Sequence, residues 1–303
     1  MSHAAYKKIA LAGATGTLGS VILKELHESG LFEVTVLVRE SSVQNFPEGV
    51  KVAKVNFESL DSLAEALAGQ EALVSALATL AISVQKLLID AAVKAGVKRI
   101  IPSEFGVDLI NPKARALPVY AGKVEIQNYL GDLAAKTIIS YTLIFNGPFL
   151  DSGLARGLFF NFKERKAQLF DGGDQPISVS RLATVGKAVR RVLTHPRETA
   201  DRAVRVKDID VSQKQLLELA QKLTPGEKWD VQLVDTAELE REALQQIKEN
   251  NIGPLTMYNL VRRAIFSPEF GNKFENVHNE VLGIREITTQ DLEEIVHSAF
   301  VSK

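Results

Sequence analysis

The sequence predicts an α/β protein, a doubly wound parallel sheet with a smaller, mostly helical C-terminal lobe. Three observations point there. Strand-like and helix-like segments alternate at βαβ spacing through the first half of the chain. The strands are nearly continuous apolar runs, as in sheets covered on both faces. A glycine-rich turn joins the first strand to the first helix.

The elements follow in order. Lys8–Ala12 is a short apolar strand ending at glycine. Thr17–Glu28 carries Leu18, Ile22 and Leu26 at helical spacing and stops at Ser29-Gly30. Glu33–Val38 is β-branched and strand-like. Val50–Val55 alternates with lysines, which predicts a strand with one wetter face. Ser59–Gly69 reads as a helix, "EALVSAL" as a strand, and Ser83–Gly96 as a helix with a serine start and a glycine stop. Lys98–Ser103 is the next strand, Val119–Ala135 a helix and Ile138–Phe145 a strand. After Pro148 the rhythm breaks. Asp171–Gln175, "DGGDQ", is a turn cluster. "PISVS" and "RLATVGKAVRRVL" read as one more strand and helix returning to the sheet. Helices follow after Ser212, which caps "QKQLLELAQKL", and over "TAELEREALQQIKEN" and "TTQDLEEIVHSAF". The expected division is a dinucleotide-binding domain over 1–150, joined by 176–206, and a substrate lobe from 151–175 and 207–303.

Composition bounds the function. The chain has 303 residues, 46% hydrophobic and 24% charged, which is ordinary for a globular protein. A net charge of −1 argues against a nucleic-acid binder. With no cysteine, disulfides, zinc–thiolate sites, Fe–S clusters and a cysteine nucleophile are excluded. The five histidines are scattered without metal-ligand spacing, so no metal is expected. There is no signal-peptide pattern, and the longest mostly apolar stretch, Ala72 to Val84, falls short of a membrane span of about 20 residues. The expectation is a cytoplasmic monomer or homodimer without a membrane partner.

Gly13, Gly16 and Gly19 sit three apart in "GATGTLG", between strand and helix. Such a turn aims backbone N–H groups and a helix dipole at an anion. This is the setting of a Rossmann dinucleotide site, although a tight turn without ligand has the same glycines. Gly13, Thr15, Gly16, Thr17, Leu18 and Gly19 are the candidate contacts. Arg39 ends the second strand, 20 residues after Gly19. A cation there suits the 2′-phosphate of NADP, and Ser41 and Ser42 would add hydrogen bonds. A solvated arginine beside Glu40 is the other reading. NADPH is the expected cofactor.

Reduction of a carbonyl or conjugated system needs a proton source. No tyrosine has a lysine four residues later, but Tyr120 precedes Lys123 by three, on nearly the same helix face. Lys123 is either a proton donor with a lowered pKa or an exposed helix lysine. Ser75, Ala76, Ser103, Phe105, Asn146, Pro148 and Phe149 leave the carboxyl ends of predicted strands, where ligands of open α/β sheets bind. Phe105 and Phe149 would line a pocket for a flat substrate or pack between the lobes.

"GATGTLG", "VLVRE", "RIIPSEFGVD", "AGKVEIQNYL", "YTLIFNGPFLDSG" and "VSRLATVGKAVRRVL" together resemble the NmrA-like / isoflavone-reductase-like family of atypical short-chain dehydrogenases. The resemblance runs from about residue 6 to 200, continues more loosely beyond, and is closer to fungal than to plant members. It implies a Rossmann domain binding NADPH and a C-terminal substrate lobe. It implies reduction of a small aromatic or conjugated, phenolic or secondary-metabolite-like molecule, with Lys123 as general acid or base. Gly13, Gly16, Gly19 and Arg39 match the family's cofactor positions. Phe105 and Asn146–Phe149 match the region near nicotinamide and substrate. "SALATL" departs from the plant pattern, which leaves the ribose and nicotinamide contacts there open. The family also holds dinucleotide-sensing regulators without turnover, which lack the lysine. Cofactor-bound acid–base chemistry is a third reading.

Overall fold

The first strand already shows why two layers of helix are needed. In β1 (Lys8–Ala12), Ile9 and Leu11 point to one face and Ala10 and Ala12 to the other, and all four are fully buried. The computed structural model describes residues 6–78 and 82–301. Thr79 and Leu80 of "SALATL", and His3, lie outside the described residues.

The chain continues through α1 (Thr17–Glu28), β2 (Glu33–Arg39), β3 (Lys51–Val55) and α2 (Leu60–Leu67), then β4 (Ala72–Ser75), α3 (Ile82–Lys94) and β5 (Arg99–Ile101). The short α4 (Pro112–Ala116), α5 (Ala121–Ala135) and β6 (Ser140–Phe145) follow. α2 begins after Ser59, whose hydroxyl accepts from the Ser62 N–H. α3 begins one residue ahead of the serine start predicted at Ser83.

The second half contains α6 (Leu150–Arg156), β7 (Lys166–Phe170), β8 (Ile177–Val179), α7 (Leu182–Thr194), β9 (Arg202–Arg205) and β10 (Ile209–Val211). It closes with α8 (Gln213–Lys222), β11 (Asp230–Val234), α9 (Thr236–Lys248), α10 (Pro254–Phe266) and α11 (Thr289–Val301). Ser212 caps α8 in a full capping box with Gln215.

Seven parallel strands form the central sheet, in the order β3-β2-β1-β4-β5-β6-β9. The order reverses between β1 and β4, which opens a crevice at their carboxyl ends. α1 and α7 cover one face, where Ile22, Leu26, Val189 and Val192 meet Ile9 and Leu11. α2, α3 and α5 cover the other, where Leu63, Leu88 and Leu130 meet Ala10 and Leu73. β3, at the edge, keeps its lysines exposed.

One expectation is corrected. The "PISVS" strand does not join the central sheet: β8 pairs antiparallel with β10. The place beside β6 is taken by β9, in register Thr142↔Arg202 to Phe145↔Arg205. β8 is pinned instead by serines in it and just after it: Ser178 Oγ donates to Asp210 at 2.6 Å, and Ser180 Oγ to the Asn146 carbonyl at 2.9 Å. The helix after it, α7, does pack on the central sheet. The C-terminal lobe is built around Phe159, Phe162, Phe170, Trp229 and Phe266, with Phe170 stacked on Phe266. It also holds a parallel pair, β7 with β11, whose strands are 64 residues apart from Lys166 to Asp230. No described helix is long and apolar enough to cross a membrane.

Candidate active site

The chain leaves β1 at Gly13, with φ +84°. A Cβ there would lie 2.5 Å from the Ala76 carbonyl oxygen, just past β4. At Gly19 a Cβ would lie 1.9 Å from the Gly13 carbonyl oxygen. Close backbone approach therefore demands both glycines. Gly16 differs: a Cβ there would meet only the Gly13 oxygen, at 3.4 Å. It caps α1 without a side-chain hydrogen bond, and the first turn of α1 carries no acidic residue. Thr15, Gly16 and Thr17 are exposed, so the positive end of the helix faces an open surface. Leu18 turns inward and packs on the core beneath.

Beside this turn lies a groove of about 370 Å³, lined by Gly13, Thr15, Arg39, Ser41, Ser42 and Leu77 among others. Arg39 is exposed at the end of β2. Glu40 is exposed and does not line the groove. Ser75, at the end of β4, is buried, and its hydroxyl has no hydrogen-bond partner in the protein. Ser103 joins two loops: its hydroxyl donates to the Leu77 carbonyl at 2.6 Å, and its N–H donates to Gln85 Oε1 at 2.7 Å.

A second hollow of about 350 Å³ opens past β5 and β6. The loops leaving these strands are laced together. The Phe105 N–H donates to the Ile144 carbonyl at 3.0 Å, and the Asn146 and Gly147 N–H groups donate to the Gly106 carbonyl at 3.1 and 3.0 Å. The lacing holds Phe105 at φ +43°, a conformation that costs an aromatic residue about 1–3 kcal/mol. Phe105, Pro148 and Phe149 thereby wall the cavity, and Phe105 also belongs to the core under α1 and α7. Asn146 is fully buried; its Nδ2 donates to the Gly147 carbonyl, while its Oδ1 has no partner in the protein.

Tyr120 and Lys123 enter the same cavity from the start of α5. Lys123 Nζ donates to the Glu104 carbonyl at 2.5 Å. The lysine is only partly exposed, and protein crowds its amino group. Burial pushes its pKa below the ordinary lysine range, opposed by the nearby Glu104 charge. Glu104, 3% exposed, is pushed up to about 7 by burial, opposed by Lys123. Burial also raises the Tyr120 phenol. A buried amine lowered and a buried carboxyl raised, both at one cavity's edge, mark a candidate functional site.

With this geometry in hand, similarity to known proteins decides the family. The NmrA-like family model matches residues 5–264. The chain belongs to the NmrA-like family. A relative from Aspergillus flavus, oxidoreductase aprR, is 33% identical over 295 residues, covering 96% of this chain and 98% of its own. The isoflavone reductase homolog P3 of Arabidopsis thaliana is 24% identical over 300 residues, covering 90% and 94%. The fold matches leucoanthocyanidin reductase from Vitis vinifera, solved with NADPH, at a TM-score of 0.75 and 18% identity, covering 97% and 99%.

In this NmrA-like protein the predicted residues fall into two groups. Gly13, Thr15 and Arg39 share the groove; Phe105, Tyr120, Lys123, Pro148 and Phe149 share the cavity. Gly16 and Thr17 lie at the α1 N-terminus, and Ala76 supplies the backbone that Gly13 touches. Sequence reasoning missed Glu104, although "PSEFG" was in view, and it missed Arg156 of α6. It also missed Tyr258, Val261 and Ile265 of α10, which close the cavity from the other lobe. Pro254 at the first turn of α10, followed by apolar residues at helical spacing, is the signal that locates that helix.

Proposed function

We propose that this NmrA-like protein binds NADPH and reduces a small aromatic or conjugated substrate of the phenolic, secondary-metabolite type. One observation carries the reading: a half-buried lysine with a lowered pKa opens into an aromatic-walled cavity beside a bare glycine turn. Names among the relatives support it, since the Aspergillus protein is called an oxidoreductase and the Vitis reductase was solved with NADPH.

The residues present fit the cofactor. The uncapped α1 N-terminus suits a diphosphate. Arg39, Ser41 and Ser42 suit a 2′-phosphate at the groove's end. The unpartnered Ser75 hydroxyl and Asn146 Oδ1 are buried polar atoms near the strand ends where ribose and nicotinamide would lie.

Bound NADPH would supply the hydride. The protein supplies position and a proton. Phe105 and Phe149 offer flat walls to an aromatic ring. Lys123 holds a proton at Nζ and releases it to the atom of the substrate that gains negative charge. Its carbonyl partner at Glu104 fixes the amino group in place. Tyr120, buried alongside, orients the lysine within the cavity.

The test is NADPH oxidation against a panel of phenolic and enone substrates. Lys123→Ala is expected to lower kcat by about 10²–10⁴-fold with NADPH affinity retained. Unchanged turnover removes Lys123 from the chemistry. Tight dinucleotide binding without turnover on any substrate would favour a sensing role.

A further inference from the structure

We propose that Arg156 is the substrate lobe's arm of the dinucleotide site, and that its guanidinium binds the cofactor's diphosphate. The inference rests on the NADPH reading above and adds a residue from outside the glycine turn.

The argument is one of position. Arg39 lies in one hollow and Lys123 in the other. A dinucleotide with its 2′-phosphate at Arg39 and its nicotinamide at Lys123 must cross the α1 N-terminus, over Gly16 and Thr17. Arg156 already stands at that crossing. It is the last residue of α6, is exposed, and donates from Nη2 to Thr17 Oγ1 at 2.6 Å. It also lines the mouth of the Lys123 cavity.

The present partner of Arg156 is a neutral hydroxyl, which satisfies a guanidinium less well than an anion. The N–H groups beside it have no side-chain acceptor, because Gly16 offers none. An anion placed there would receive both the helix N-terminus and a planar, two-pronged cation. The start of the helix that carries Arg156 is anchored. The Leu150 N–H donates to the Ser180 carbonyl at 2.9 Å, and Asp151 accepts from the Leu182 N–H at 3.2 Å. The side chain therefore swings from Thr17 to the diphosphate while α6 stays in place, and one residue borders both ligands.

The experiment is titration of the full chain with NADPH, and with adenosine 2′-monophosphate as a competitor, without substrate. The fragment carries the phosphate read by Arg39 but no diphosphate. Arg156→Ala and Arg156→Gln are both measured against the wild type. The expected result is NADPH affinity weakened about tenfold or more, with fragment affinity unchanged. Unchanged NADPH affinity overturns the proposal. Equal weakening of both ligands also overturns it, since that marks a disturbed turn rather than a lost diphosphate contact. If the wild type itself fails to bind NADPH, the proposed function fails first.

Discussion

The groove at Arg39 and the cavity at Lys123 lie at the same end of the sheet but are built from different material. The groove is shaped by the glycine turn, by the end of β2 and the residues past it, and by Phe57 and Leu77 from the loops after β3 and β4. The cavity draws side chains from the loops after β5 and β6, from α5, and from α6 and α10 of the other lobe. The turn depends on the two glycines that leave no room for a Cβ, Gly13 and Gly19, whatever side chains stand around it. A side-chain site changes with each residue that walls it, which is how one fold serves many substrates.

The sharpest test of this contrast is Gly19→Ala. The new methyl would overlap the Gly13 carbonyl, so the turn and α1 must move apart. A loss of about 3 kcal/mol or more is expected in chemical denaturation, together with loss of NADPH binding. Stability near that of the wild type would show that the turn is softer than its geometry implies.

Arg39→Asp comes next. It should weaken NADPH relative to NADH by about 2–3 kcal/mol, read from the ratio of dissociation constants. An unchanged ratio would place the 2′-phosphate elsewhere.

Gly16→Ala is the counterpart of Gly19→Ala. Its methyl meets only ordinary contact inside the protein. Stability should change by about 1 kcal/mol or less, while NADPH affinity falls because the methyl occupies the anion surface. If it unfolds the protein as Gly19→Ala does, the distinction between fold glycines and ligand glycines collapses.

The smallest effect tests the cavity side through pH. The Glu104 charge holds the Lys123 pKa up against burial. In Glu104→Gln that support is gone, so Lys123 loses its proton at lower pH. The high-pH decline of kcat should therefore move to lower pH; a shift upward, or none, would detach Glu104 from the lysine. Stability has its own sign. The folded pKa of Glu104 is raised from 4.5 to about 7, so its contribution is full below pH 4.5 and is lost as pH rises through about 7. The variant should lack that decline in a series of denaturation midpoints.

Legibility in the sequence follows the distance over which each feature is decided. The glycine turn, the Ser59 and Ser212 caps and Arg39 at the end of β2 are local events, and each is recognisable within a dozen residues. β8 misled because "PISVS" has strand chemistry, and chemistry does not name the partner strand. β7 and β11 are not legible in the sequence because neither short strand is convincing until the other lies beside it.

The sequence by itself determined the alternation of strand and helix, the glycine turn and the cation at the end of β2, because hydrogen bonding and side-chain period act between near neighbours. Only the tertiary structure decided that Lys123 is crowded and beside Glu104, that β9 closes the sheet, and that Arg156 reaches back to Thr17. Burial and charge proximity belong to no segment alone. They arise where the loop after β5 meets the start of α5, and that meeting converts an ordinary helix lysine into a candidate proton donor.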